Sequence, residues 1–174
     1  MRRESDPRAE EILTRYSQTF GTPDGAEVPV DAIATDLLGL RVLEHEDLGV
    51  SGLLIPSTMH IYLDAQEARD VVERRRFTLA HEVGHWVCHC GEGRAPSHGS
   101  IHCRPADPAA SAEPFLEHEA NNFAASLLMP EGAVRSAAKR GLDVPEAASH
   151  FMVSEIAMEW RFFNLGITDE PPAS

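Results

Sequence analysis

The stretch "RRRFTLAHEVGHWVCHC", residues 74–90, places His81 and His85 four positions apart, with Glu82 between them and apolar neighbours at Phe77, Leu79 and Trp86. Histidine is a mediocre helix former and sits awkwardly against a core unless its ring nitrogens find partners. On a helix, positions i and i+4 share a face at about 5–6 Å. Two imidazoles so placed can share one metal ion. The residue after the first histidine leaves at a neighbouring angle, so its carboxylate can reach a water on that ion without binding it. This is the mechanical sense of His-Glu-x-x-His in zinc hydrolases, and His81-Glu82-Val83-Gly84-His85 fits it. Gly84 weakens a helix, which makes sense if substrate or another backbone passes close by.

A catalytic zinc takes three protein ligands and keeps one position for water. The third must come from elsewhere in the chain. "PFLEHEANNFAASLLMP", residues 114–130, reads as a second helix closed by Pro130 and offers Glu117 and Glu119. Two positions apart on a helix, these carboxylates point in different directions, so one of them binds. Glu117 is preferred, because Asn121 is its i+4 neighbour and can orient a histidine ligand from behind; Glu119 is the alternative. The expected site is therefore His81, His85 and Glu117 around Zn²⁺, with Glu82 as general base.

Around this pair the chain reads as a small α+β domain. "SDPRAEEILTRYSQTFG" begins with a cap-like Ser-Asp-Pro and ends at Gly21, with Ile12, Leu13, Tyr16 and Phe20 on its apolar side. "VPVDAIATDLLG" carries Val30, Ile33, Leu37 and Leu38 at helical spacing. Three extended segments follow, "LRVLEH", "VSGLLIP" and "MHIYLD", with Met59, Ile61 and Leu63 on one face of the last. Their short links predict a small, mostly antiparallel three-stranded sheet packed on helices. Residues 65–89 read as one long helix, and residues 91–114, rich in Gly, Pro, Ser and Ala, as a long loop. Residues 1–130 are expected to form the metallopeptidase domain. Residues 131–174 are expected to form a helical tail packed on it. Its segment "FMVSEIAMEWRFFNLG" has the outline of half a helix-turn-helix, with Val153 and Ser154 at the turn and Phe151, Ile156, Met158, Trp160 and Phe163 as packing residues.

The 174 residues are enough for one compact domain, and a hydrophobic content of 43% supports a core. No apolar run approaches the roughly 20 residues that span a bilayer, and no apolar segment follows the charged N-terminus, so a cytoplasmic protein is expected. The net charge of −13 repels a phosphate backbone, and the dense basic run is only Arg74 to Arg76. Direct nucleic-acid binding is disfavoured on that ground. Cys88, Cys90 and Cys103 are too few and too odd in number for a disulfide framework. With His89 and His102 they form a second group of metal-type side chains, read as incidental thiols and rings near a loop; the sharper idea is that Cys103 caps the zinc.

"RRRFTLAHEVGHWVCH" followed by "LEHEANNFAASLLMP" resembles the ImmA/IrrE family of zinc metallopeptidases. The likeness extends more weakly over "MHIYLD" and the tail. It implies a compact gluzincin-like fold, with His81, His85 and a Glu of the second block as ligands and Glu82 as base. It also implies a protein substrate, a helix-turn-helix repressor whose cleavage releases stress-response or mobile-element genes. The chain leaves no room for a separate sensor domain after the peptidase, so a short form of the family is expected. The competing function is a zinc-binding interaction module that sequesters a repressor or toxin-like partner without cutting it.

Overall fold

The computed structural model describes residues 4–23, 25–90 and 114–172, and the backbone of 101–103. Helix α1 (Pro7–Phe20) starts where Asp6 accepts a hydrogen bond from the Arg8 backbone N–H, with Pro7 in the first turn, and ends at Gly21, whose φ of 91° is open to glycine. A single turn, α2 (Val30–Ala32), continues as a π-helical segment, Ile33–Leu37. Strands β1 (Arg41–His45), β2 (Gly52–Ile55) and β3 (His60–Asp64) follow as expected.

The sheet has one strand more than the three expected. Its order is β1-β3-β2-β4, and β4 is Ile101–Cys103, inside the segment read as loop. A three-residue strand in a Gly- and Pro-rich stretch carries no periodicity of its own; its place is set by the free edge of β2, with which it pairs antiparallel. β2 also pairs antiparallel with β3, whereas β1 lies parallel to β3, so the sheet is mixed. Ile61 and Leu63 point from β3 into the core, but Met59 lies before the strand in a left-handed turn with φ 57°. It is 37% exposed and does not share their face.

The long helix expected over 65–89 is divided. Asp64 caps α3 (Ala65–Asp70) by accepting from the backbone N–H groups of Gln66 and Glu67. Val71 is then extended (φ −141°, ψ 99°), and α4 (Val72–His85) restarts after it. Adjacent β-branched Val71 and Val72 weaken helix at the break. After His85 the helix widens into a π segment, Trp86–Cys90. Such widenings shift the facing of the residues that follow, and they recur at functional sites.

Helix α5 (Pro114–Leu128) is the centre of the molecule, with Ala120, Phe123, Ala124 and Leu127 fully buried. It packs against both α4 and α1. From Leu79 to His85 every residue of α4 is buried, so the helix is sandwiched between the sheet and α5. Burial of such side chains contributes about 1.5–3 kcal/mol each, which holds both helices in register. At Gly84 the two backbones approach so closely that a Cβ would stand 3.0 Å from the Ala120 carbonyl oxygen.

Helices α6 (Glu131–Lys139), α7 (Val144–Phe151) and α8 (Glu155–Asn164) follow. Asp143 and Glu146 form a capping box on α7. The turn into α8 passes through Met152 at φ 54°, and Ser154 caps α8. Phe151 and Met158 are buried in the main core, as expected of packing residues. Ile156 and Trp160 are not: they form an exposed i, i+4 stripe opposite Met158 and Phe162. Buried Arg161 ties this region to the rest, donating from Nε to the Met129 carbonyl and from Nη2 to Ser5 Oγ.

Candidate metal centre

Two helices supply the site, and their locked contact fixes its dimensions. From α4 come His81 and His85, one turn apart, with their Nε2 atoms 3.0 Å from each other. From α5 comes Glu117. Its Oε2 lies 3.3 Å from His81 Nε2, and its Oε1 lies 3.3 Å from His85 Nε2. One donor atom from each of the three residues falls within 4.8 Å of the others. A divalent cation bound at about 2.0–2.2 Å from nitrogen and oxygen donors spans such separations, and two imidazoles with one carboxylate match the donor set of a catalytic zinc. The chemistry of the residues present therefore fits that group. His85 is fully buried, while Glu117 keeps a quarter of its side chain exposed, so the cluster opens toward solvent on the α5 side.

The second ring nitrogen of each histidine is held. Asn121 Oδ1 is 2.9 Å from His81 Nδ1 and accepts its proton, which fixes the ring with Nε2 on the side of Glu117. His85 Nδ1 lies 3.2 Å from His89 Nδ1. His89 Nε2 in turn lies 3.2 Å from Glu119 Oε2. Glu117 and Glu119 thus point to different partners, as two positions on a helix require. The structure brings Glu117 to the histidine pair and Glu119 to His89.

Burial pushes the His85 imidazole below its usual range, more than its hydrogen bond to Glu117 restores. Burial also opposes charge on His81, but the hydrogen bond to Glu117 and the neighbouring Glu82 and Glu117 charges raise its affinity for a proton. Glu117 is opposed by burial too, yet hydrogen bonds from both imidazoles bring it down to about 2, so it is an ionised donor at neutral pH.

Glu82 is wholly buried beside the two histidines on α4. Its carboxylate rests against β2: a Cβ built on Gly52 would collide with Glu82 Oε1 and with Thr78 Cγ2. Gly52 was not among the residues expected from sequence to serve the site. An isolated Gly inside a strand pattern is a mark of close approach, and that was the available signal. His89 was grouped with the incidental thiols and rings; its i+4 spacing after His85 was the available signal. Gly84 serves backbone approach, the second of the two reasons expected for it.

The basic run and His60 are engaged elsewhere. Arg74 pairs with Glu67, Arg75 with Asp31 and Glu44, and Arg76 with Glu27 and two backbone carbonyls. His60 stacks on Tyr62 and bonds the Thr58 carbonyl. Cys88 and Cys90 are buried. The side chains of His102 and Cys103 lie outside the described residues, and so does the expected cap on the metal.

Comparison with known proteins bears on the same residues. A Mycobacterium tuberculosis transcriptional regulator of known structure superposes with a TM-score of 0.59 at 15% identity, over 90% of this chain and 46% of that one. That likeness is one of fold, and this chain spans about half the length of that structure. No curated protein matches the chain. No helix among the described residues is long and apolar enough to cross a membrane. The model of the M78 peptidases described as the IrrE N-terminal-like domain matches residues 38–163, which takes in β1 to α8 and the whole donor cluster. The chain belongs to that M78 metallopeptidase family.

Proposed function

We propose that the protein is a zinc-dependent endopeptidase in which His81, His85 and Glu117 hold the metal, Glu82 is the general base, and the substrate is a helix-turn-helix repressor of stress-response or mobile-element genes. The observation that carries this reading is the convergence of three donor atoms from two separate helices within 4.8 Å, beside a buried carboxylate one residue from the first of them. Family membership supports proteolysis, and a fold shared with a protein called a transcriptional regulator is in keeping with a regulatory target. We assign residues 1–130 to the peptidase domain and 131–174 to a helical tail packed on it, through contacts such as Arg161 to Met129. The shared core supports the tail as a packing element, and the net charge of −13 counts against its binding nucleic acid.

When bound, zinc would polarise the scissile carbonyl and lower the pKa of water toward about 7. Glu82 accepts a proton from the attacking water and delivers it to the leaving amine nitrogen. The wall formed by Gly52 and Thr78 limits where that carboxylate can swing. Asn121 holds His81 in the tautomer that leaves Nε2 free. The edge of the small sheet offers backbone groups that can align an extended segment of substrate.

The test is incubation of purified protein with the helix-turn-helix repressor encoded by a neighbouring gene, followed by electrophoresis and mass spectrometry. Wild type with zinc yields two fragments, and Glu82→Gln binds zinc with equal stoichiometry and yields none. Cleavage by Glu82→Gln at the wild-type rate overturns the assigned base. Tight association without cleavage by the zinc-loaded wild type establishes the sequestering module instead.

A further inference from the structure

His89 is nearly buried and lies at the end of a line of three imidazoles, His81, His85 and His89, whose successive ring centroids are 4.6 and 5.3 Å apart. Its two nitrogens have different partners: Nδ1 faces His85 Nδ1 at 3.2 Å, and Nε2 faces Glu119 Oε2 at 3.2 Å. Glu119 is itself fixed, since Oε1 accepts from Arg8 Nη2 at 3.2 Å. Arg8 is clasped in turn by the Asp6 carboxylate at 3.0 Å and 2.7 Å, at the start of α1.

Two facing imidazole nitrogens form a hydrogen bond only if one carries the proton and the other a lone pair. A histidine that binds a metal through Nε2 carries its proton on Nδ1. Resting on the metal reading above, His85 Nδ1–H must donate to His89 Nδ1. His89 then carries its own proton on Nε2, where Glu119 accepts it. Every direction in the line is thereby fixed. We propose that His89 and Glu119 are positioning residues: a relayed carboxylate–histidine–histidine anchor that sets the tautomer and ring orientation of His85. His81 is oriented by one direct partner, Asn121, whereas His85 is oriented through an interposed ring. The π segment beginning at Trp86 carries His89 into this line. On this assignment the second carboxylate of "LEHEANN" is not a spare ligand. It is the far end of the anchor for the other histidine.

The experiment measures zinc affinity by competition with a chromophoric chelator, together with the visible spectrum of the cobalt-substituted protein. Loss of such an outer partner lowers metal affinity by about 10- to 100-fold. His89→Phe is expected to show that loss and a shifted cobalt spectrum. His89→Asn guards against misfolding: its Oδ1 takes the place of Nδ1 and still accepts from His85 but cannot reach Glu119, so a smaller loss is expected. Glu119→Leu weakens zinc in the wild-type background, and Glu119→Gln, which keeps an acceptor, largely restores it. In the His89→Asn background Glu119→Leu is expected to have no further effect, because the relay is already cut. A residue that serves only packing does not lose its effect in this way. Unchanged affinity and spectra in folded His89→Phe and Glu119→Leu overturn the relay, and so does a full additive effect of Glu119→Leu on His89→Asn. Failure of the wild-type protein to bind zinc tightly, or tight zinc retained in Glu117→Ala, overturns instead the underlying site.

Discussion

Asn121 Oδ1 stands 2.9 Å from His81 Nδ1, one helical turn beyond the Glu117 carboxylate that faces the same ring's Nε2 at 3.3 Å. A single face of α5 therefore addresses both nitrogens of one imidazole. Glu117 supplies a neighbouring donor, and Asn121 fixes which nitrogen bears the proton. Asn121→Ala removes that constraint without touching a donor. Zinc affinity should fall by about 10- to 100-fold, with stoichiometry unchanged. Asn121→Asp, which keeps the acceptor, should retain tight binding. Calorimetric titration of the two variants distinguishes these results, and equal affinity for Asn121→Ala and wild type counts against the role of this contact.

Gly52 leaves the space that the Glu82 carboxylate uses. A Cβ there would meet Glu82 Oε1 and Thr78 Cγ2 within distances that real side chains do not tolerate. The strand cannot retreat easily, because β2 is paired on both sides. The carboxylate must therefore swing away from its resting place. Gly52→Ala should lower kcat by about 10²-fold or more, the range a misplaced general base costs, while zinc stoichiometry holds. Steady-state kinetics beside metal analysis separates this from simple unfolding, and wild-type kcat in Gly52→Ala would show that Glu82 works from another position.

Local periodicity carries some of this architecture and none of its long-range distances. His81 and His85 were legible because helical spacing alone puts them on one face. Glu117 was preferred because Asn121 follows it by one turn. Helical spacing could place His89 one turn beyond His85, but neither argument could reach its pairing with Glu119, which depends on how α4 and α5 are shifted along each other, where Gly84 meets Ala120. The break at Val71 was hidden because apolar and charged residues keep helical spacing across it. The parallel pairing of β1 with β3 was hidden because short links favour antiparallel neighbours, whereas β2 forms between them in sequence but not in space. Strand β4 owes its existence to the edge it meets.

Gly84 couples stability to the site. A Cβ at this position would lie 3.0 Å from the Ala120 carbonyl oxygen, 3.1 Å from its Cα and 3.2 Å from Phe123 Cδ1. Alanine gains about 1 kcal/mol of helix propensity over glycine. Overpacking against a fully buried backbone costs about 1–3 kcal/mol, and backbone cannot rotate aside as a side chain can. The cost is expected to win. Gly84→Ala should lower Tm by a few degrees in scanning calorimetry. Because Ala120 lies one turn from Glu117 on the same helix, the displacement should weaken zinc binding as well. A rise in Tm with unchanged zinc affinity would mean that α5 yields freely.

Cys90 tests whether thiol chemistry touches this centre near neutral pH. Burial raises its thiol above the ordinary value of 9.0, and only the thiolate is nucleophilic. An acid with a folded pKa above its unfolded one holds its proton longer in the native state. Its contribution to stability is therefore present at neutral pH and declines as pH rises beyond 9.0. At pH 8 the native thiol should react with iodoacetamide far more slowly than in urea, and the native rate should climb steeply only above pH 9. Peptide mapping after timed alkylation, in buffer and in urea, reads both rates for this one residue. Equal rates at pH 8 would place the thiol in an open, ionisable setting instead.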